Sequence, residues 1–221
     1  MSLAEDLKIE KGVTAVIGSG GKTTLLHKLA QELSQIGTVI LTTSTHMRPS
    51  EEFPCLYSPT ADEIKRFFEE KNNSEFPVLC VGTLTDEGKF TACEQVSFED
   101  LTSLADYVLV EADGSKMLPL KAHNDTEPVI PTNTKRTVCV VGVSGLNKPI
   151  REVVHRPELF CRAVGATPAE PATPVFVAWL LNFEDFADIY YVNQCDLPEA
   201  EDAAKELAEL LCKPAICGSL L

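Results

Sequence analysis

VTAVIGSGGKTTLLHKLAQELSQIGTVILTT, from Val13 to Thr43, decides the fold class. Val13–Gly18 is a short β-branched run that ends in glycines, the pattern of a buried strand. Between Lys22 and Ser34 the apolar residues Leu25, Leu26, Leu29, Ala30 and Leu33 recur at helical spacing. Gly37 supplies a stop, and Thr38–Thr43 is a second β-branched run. Strand, glycine loop, helix and strand within about 30 residues make a βαβ unit, which crosses over right-handed into a parallel sheet.

The same alternation continues downstream. After a polar loop broken by Pro49, Pro54 and Pro59, Thr60–Lys71 reads as a helix opened by a Thr60/Glu63 capping box. Pro77–Val81 reads as a strand, and residues 83–92, turning at Asp86-Glu87-Gly88, as a β-hairpin. Ser97–Leu104 reads as a helix capped by Ser97 and Asp100, and Tyr107–Glu111 and Arg136–Val143 as continuously apolar strands. Residues 150–187 form a helical subregion interrupted by Pro157, Pro168, Pro171 and Pro174. Ile189–Asn193, a helix over Pro198–Leu211 and a short Ala215–Cys217 segment complete the chain. We expect one α/β domain over residues 1–221, with a mostly parallel, doubly wound sheet and the 83–92 hairpin as an insertion.

Composition narrows the partners. Nineteen Lys and Arg against 33 Asp and Glu give a net charge of −14, which argues against nucleic acid as a ligand. No apolar run approaches the roughly 18 residues of a membrane span and no signal peptide is recognisable, so a cytoplasmic protein without a membrane partner is expected. The eight cysteines include no C-x-x-C pair, which disfavours zinc, while the chain's size and the lack of a secretory signal disfavour a disulfide scaffold.

Gly18-Ser19-Gly20-Gly21-Lys22-Thr23-Thr24 carries the chemistry. Glycines let successive N–H groups turn toward one anion, and the helix starting near Lys22 adds its positive end. Lys22 suits the β- and γ-phosphates of GTP or ATP, and the Thr23 hydroxyl suits Mg²⁺. The long phosphate-loop pattern requires glycine where this chain has Val16, so the loop is the shorter G-x-x-G-K-T type of a P-loop NTPase fold. Glu111 and Asp113, at the carboxyl end of a strand, are the candidate metal carboxylates, with Lys22, Asp113 and Lys116 as candidate catalytic groups. Lys116, Lys121 and His123 either meet a second substrate or only balance these acids. Thr43, His46, His155 and Arg156 are further substrate candidates, equally compatible with solvated loops. Asn193-Gln194-Cys195-Asp196 is similar to the N-K-x-D base-recognition motif of GTPases, with Gln194 in place of lysine. A turn followed by a helix cap would place Asn193 and Asp196 there too.

IGSGGKTT, TTSTH, VLVEADGSKMLPLKAH, VVGVSGLNKPI, VVHRPELF and VNQCD, in this order, resemble the YqeC family from about Val13 to Asp196. The resemblance implies an accessory role in selenium-dependent molybdenum hydroxylase maturation, with a molybdenum hydroxylase or a selenium or pterin cofactor intermediate as partner. The glycine loop is also similar to the short phosphate loop of Mur ligases, and E-x-D with the late N-x-x-D resembles GTPases that assist nickel-enzyme maturation. Two functions remain open: a nucleotide-dependent enzyme that hydrolyses or transfers phosphate, and a nucleotide-gated protein that docks on its client without turnover.

Overall fold

The computed structural model describes residues 2–71 and 77–220. In chain order the elements are α1 (Leu3–Asp6), β1 (Gly12–Ser19), α2 (Lys22–Leu33), β2 (Val39–Thr43), β3 (Cys55–Tyr57), α3 (Ala61–Lys71), β4 (Val78–Leu84) and β5 (Phe90–Thr91). Then follow α4 (Phe98–Leu104), β6 (Tyr107–Glu111), β7 (Leu120–Lys121), β8 (Thr134–Gly142), α5 (Ile150–Val153), β9 (Val154–His155) and α6 (Pro157–Val164). The last are α7 (Pro174–Glu184), β10 (Ile189–Asn193), α8 (Glu201–Leu210) and β11 (Ala215–Cys217). Strands and flanking helices form a mostly parallel α/β architecture, as the alternation of patterns predicts.

Two compact units can be distinguished, residues 1–16, 23–114 and 129–136, and residues 17–22, 115–128 and 137–221. In the first, β1, β6, β2, β4 and β3 pair side by side in that order, all parallel. Val39 to Thr43 of β2 and Tyr107 to Glu111 of β6 are buried throughout, the signature of strands covered on both faces. Leu25, Leu26, Leu29, Ala30 and Leu33 of α2 are buried too, so the helical stripe read from sequence is the face this helix presents to the core. β5 returns antiparallel along β4, with Thr83 opposite Thr91 and Leu84 opposite Phe90, which is the expected hairpin. Both predicted capping boxes form. The Glu63 carboxylate accepts the Thr60 N–H at 2.8 Å, and the Asp100 carboxylate accepts the Ser97 N–H at 3.1 Å.

The polar loop expected over residues 44–58 contains a strand, β3, parallel to β4 with Cys55 opposite Cys80. A strand of three residues is too short for a period-2 pattern to register, and pairing to β4 makes it. Asp106, just before β6, ties three segments of this unit together. Lys11 Nζ donates to its Oδ1 at 2.7 Å, while the Thr38 N–H and hydroxyl donate to Oδ2 at 3.0 and 3.3 Å. These bonds, that from Lys11 foremost, hold the carboxyl below the usual carboxylate range. Because the folded value lies under the unfolded one of about 4, the stabilisation is present above that pH and is lost as pH falls through the folded value. Asp106→Asn therefore lowers the melting temperature at pH 7 and by much less at pH 3. Circular dichroism melts at the two pH values check this, and equal losses at both would contradict it.

In the second unit β8, β10 and β11 are parallel neighbours, with Asn193 opposite Gly142 and Val192 opposite Cys217. A separate parallel pair joins β7 to β9, with Lys121 opposite His155. The predicted helical subregion divides into α5, α6 and α7, and the second and third of these begin at Pro157 and Pro174, where a missing N–H costs nothing. Among the described residues no helix is long and apolar enough to cross a membrane.

Candidate functional site

β1 runs to Ser19 and α2 starts at Lys22, so Gly20 and Gly21 alone make the turn between them. Gly20 has φ +86, and a Cβ there would lie 2.5 Å from Gly142 Cα and 2.9 Å from the Pro119 carbonyl. Gly21 has φ +133, and a Cβ would strike the Asn193 side-chain amide. Glycine is required at both positions by conformation and by close approach.

Lys22 is 4% exposed, and its ammonium is turned back to donate to the Gly18 carbonyl at 2.8 Å. The Ser19 hydroxyl donates to the Leu118 carbonyl, tying the loop to the segment that leads into β7. Asn193, at the end of β10, braces the other side. Its Nδ2 donates to the Gly20 carbonyl at 2.7 Å and its Oδ1 accepts the Leu220 N–H at 3.1 Å. Asn193 is 4% exposed, so this amide is committed to the loop, a role invisible in sequence because it depends on where the Gly20 carbonyl points. Gln194 follows with φ +68, its Oε1 accepting the Ser144 N–H at 3.3 Å, and Asp196 lies exposed three residues beyond Asn193.

In the first unit the Thr23 hydroxyl donates to Glu111 Oε2 at 3.2 Å. Glu111 ends β6, is 8% exposed, and its backbone carbonyl accepts the Thr43 hydroxyl at 2.8 Å and the Ser44 N–H at 3.1 Å. Asp113 lies two residues further and is fully buried. Thr24 and His46 are exposed. Hydroxyl and carboxylate oxygens are the donor types that suit a hard cation, and of these the Thr23 hydroxyl and the Glu111 carboxylate meet here. Among the described residues no group of three or more His, Cys, Asp or Glu side chains could hold a metal ion.

The downstream cations divide into three groups. Lys116 is exposed at φ +49, next to Met117 at φ +62. His123 Nδ1 lies 2.7 Å from Glu184 Oε2, and its backbone N–H donates to Glu184 Oε1 at 2.8 Å. Lys121 Nζ and Arg156 Nη2 both meet Glu127 Oε2, at 2.9 and 2.7 Å. Sequence reasoning passed over Glu127 and Glu184. The signal for Glu127 was charge balance: it and Asp125 are the acids between Lys121 and Lys135.

The chain is thus an α/β protein with a glycine-rich strand-to-helix loop braced by a late asparagine. The model of the family described as YqeC protein matches residues 14–158, which include the glycine loop, Glu111, Asp113 and the His155-Arg156 pair. The chain is also similar to the "Uncharacterized protein YqeC" of Escherichia coli (strain K12), 33% identical over 177 residues that cover 76% of this chain and 67% of that protein. The chain belongs to the YqeC family.

Proposed function

We propose that this protein binds GTP or ATP with Mg²⁺ on Gly18–Thr24 and uses its hydrolysis or phosphoryl transfer in maturing a selenium-dependent molybdenum hydroxylase or its cofactor. The observation that carries the nucleotide part is the Lys22 ammonium, buried at the head of α2 and 2.8 Å from a carbonyl of its own glycine loop. A phosphate entering the loop exchanges that neutral acceptor for a charged one, which strengthens the bond. Thr23 and Glu111 would hold Mg²⁺, directly or through water, and the metal would supply charge neutralisation at the β- and γ-phosphates. Lys116, exposed beyond Asp113, is the candidate for meeting charge on the transferred group. The role in maturation rests on family membership and on the resemblance of the motifs.

Release of inorganic phosphate from GTP and ATP, with and without a molybdenum hydroxylase client, tests the reading. Turnover stimulated by the client supports it. Tight stoichiometric binding with no turnover under either condition would replace the enzyme by a nucleotide-gated docking protein.

Base choice gives a separate prediction. If Asp196 accepts the guanine N1–H and amine, Asp196→Asn lowers the GTP-to-ATP affinity ratio by about tenfold or more, since an unmatched polar pair discriminates strongly. Competition binding with both nucleotides measures the ratio, and an unchanged value removes Asp196 from base recognition.

A further inference from the structure

We infer that Cys55 and Cys80 form a dithiol site for thiol–disulfide exchange with small-molecule disulfides, Cys55 making the first attack and Cys80 resolving the mixed disulfide. The inference goes beyond the nucleotide reading and does not rest on it.

Strand register brings the two thiols together. β3 is the last strand in the pairing order of the first unit and lies parallel to β4, with Cys55 opposite Cys80. Backbone bonds fix that register on both sides of the pair: the Cys80 N–H donates to the Pro54 carbonyl and the Ser58 N–H to the Gly82 carbonyl, each at 2.8 Å. Neighbouring strands run about 4.8 Å apart, inside the roughly 4.4–6.8 Å that separates the Cα atoms of a disulfide. Registered side chains leave a sheet on the same face, and here the Cys80 thiol donates a hydrogen bond to the Cys55 sulfur. Both cysteines are free thiols.

The two positions differ in the way this chemistry requires. Cys55 is partly exposed, whereas Cys80 is buried at 0% exposure. Two core cysteines packed only as small hydrophobes would both be buried. The hydrogen bond from Cys80, opposed by burial and helped by the Ser50 backbone, brings the Cys55 thiol down to about 7, so much of it is thiolate near neutral pH. The same bond, then burial, keeps the proton on Cys80. The Cys55 thiolate attacks one sulfur of the incoming disulfide, forms a mixed disulfide and releases one thiolate. The negative charge on Cys55 is then gone, and with it the largest cause that holds the Cys80 proton. Cys80 gives up that proton, attacks the Cys55 sulfur and expels the second thiolate. Two protein thiols are thereby oxidised to one disulfide, the small disulfide is reduced to two thiols, and the two protein protons end on the leaving groups.

The test incubates the full, reduced chain with glutathione disulfide and maps every cysteine by digestion and mass spectrometry. The expected result is a peptide pair linked through Cys55 and Cys80. Cys80→Ala instead traps a glutathione adduct at Cys55, and Cys55→Ala leaves Cys80 unmodified. The second readout is the rate of Cys55 alkylation by iodoacetamide over a pH series. Its midpoint lies at about 7 in the parent chain and moves up by about one unit or more in Cys80→Ala, toward the ordinary thiol value. The site is overturned if Cys55 and Cys80 stay unmodified while the exposed Cys212 and Cys217 take up glutathione. A glutathione adduct that persists on Cys55 beside a free Cys80 in the parent chain, or a midpoint unmoved by Cys80→Ala, contradicts it equally. Should either variant not fold, the peptide map of the parent chain decides alone.

Discussion

Lys22→Ala weakens the affinity for GTP or ATP by about 10- to 100-fold. A charge-assisted hydrogen bond contributes about 1.5–3 kcal/mol, and each 1.4 kcal/mol is a decade of affinity. The loss falls on binding because the Lys22 ammonium lies at the loop, 2.8 Å from the Gly18 carbonyl, where a phosphate would replace that acceptor. Titration calorimetry of the two proteins with each nucleotide and Mg²⁺ gives the ratio. Equal affinities would take Lys22 out of the site.

Gly20→Ala acts on the loop itself and disturbs two properties together. The added methyl would lie 2.5 Å from Gly142 Cα and 2.6 Å from Gly142 N, both backbone atoms of β8 with no side-chain freedom to yield. The left-handed conformation at φ +86 adds about 1–2 kcal/mol for a residue with a Cβ, and the overpacking a further 1–3 kcal/mol. At about 2–4 °C per kcal/mol for a chain of this size, the melting temperature falls by roughly 4–20 °C. Nucleotide affinity falls as well, since any shift of Gly20 also moves the carbonyl that Asn193 holds at 2.7 Å. Thermal melts and nucleotide titrations of this one variant check both effects. A variant that melts and binds like the parent would mean the loop tolerates displacement and is no rigid cradle.

Much of the fold was legible because its strands are continuous apolar runs with polar or glycine borders. Tyr107–Glu111 and Ile189–Asn193 correspond residue for residue to β6 and β10, since burial on both faces leaves nothing in the run to misread. The helix starts at Thr60/Glu63 and Ser97/Asp100 were legible for a local reason: a capping box is made by residues three apart. What escaped the sequence is non-local. β3 is three residues between prolines, and β7 and β9 are two residues each, so only their partners make them strands. The candidate site divides along the same line. Glycine, lysine and threonine at fixed spacing announce a phosphate loop by themselves. That Asn193 clamps Gly20, that Gln194 turns back to Ser144, and that Lys121 and Arg156 meet on Glu127 all depend on segments far apart in sequence. No spacing rule encodes such meetings.

The central claim is that backbone amides and Lys22 at the turn between β1 and α2 receive the phosphates of a nucleotide. Titration calorimetry of the purified protein, stripped of any co-purifying ligand, with GTP and then ATP in the presence of Mg²⁺ tests it most directly. Saturable one-to-one binding of at least one nucleotide, weakened when Mg²⁺ is chelated, is the predicted result. No heat of binding from either nucleotide, confirmed by equilibrium dialysis on protein shown to be folded, would contradict it.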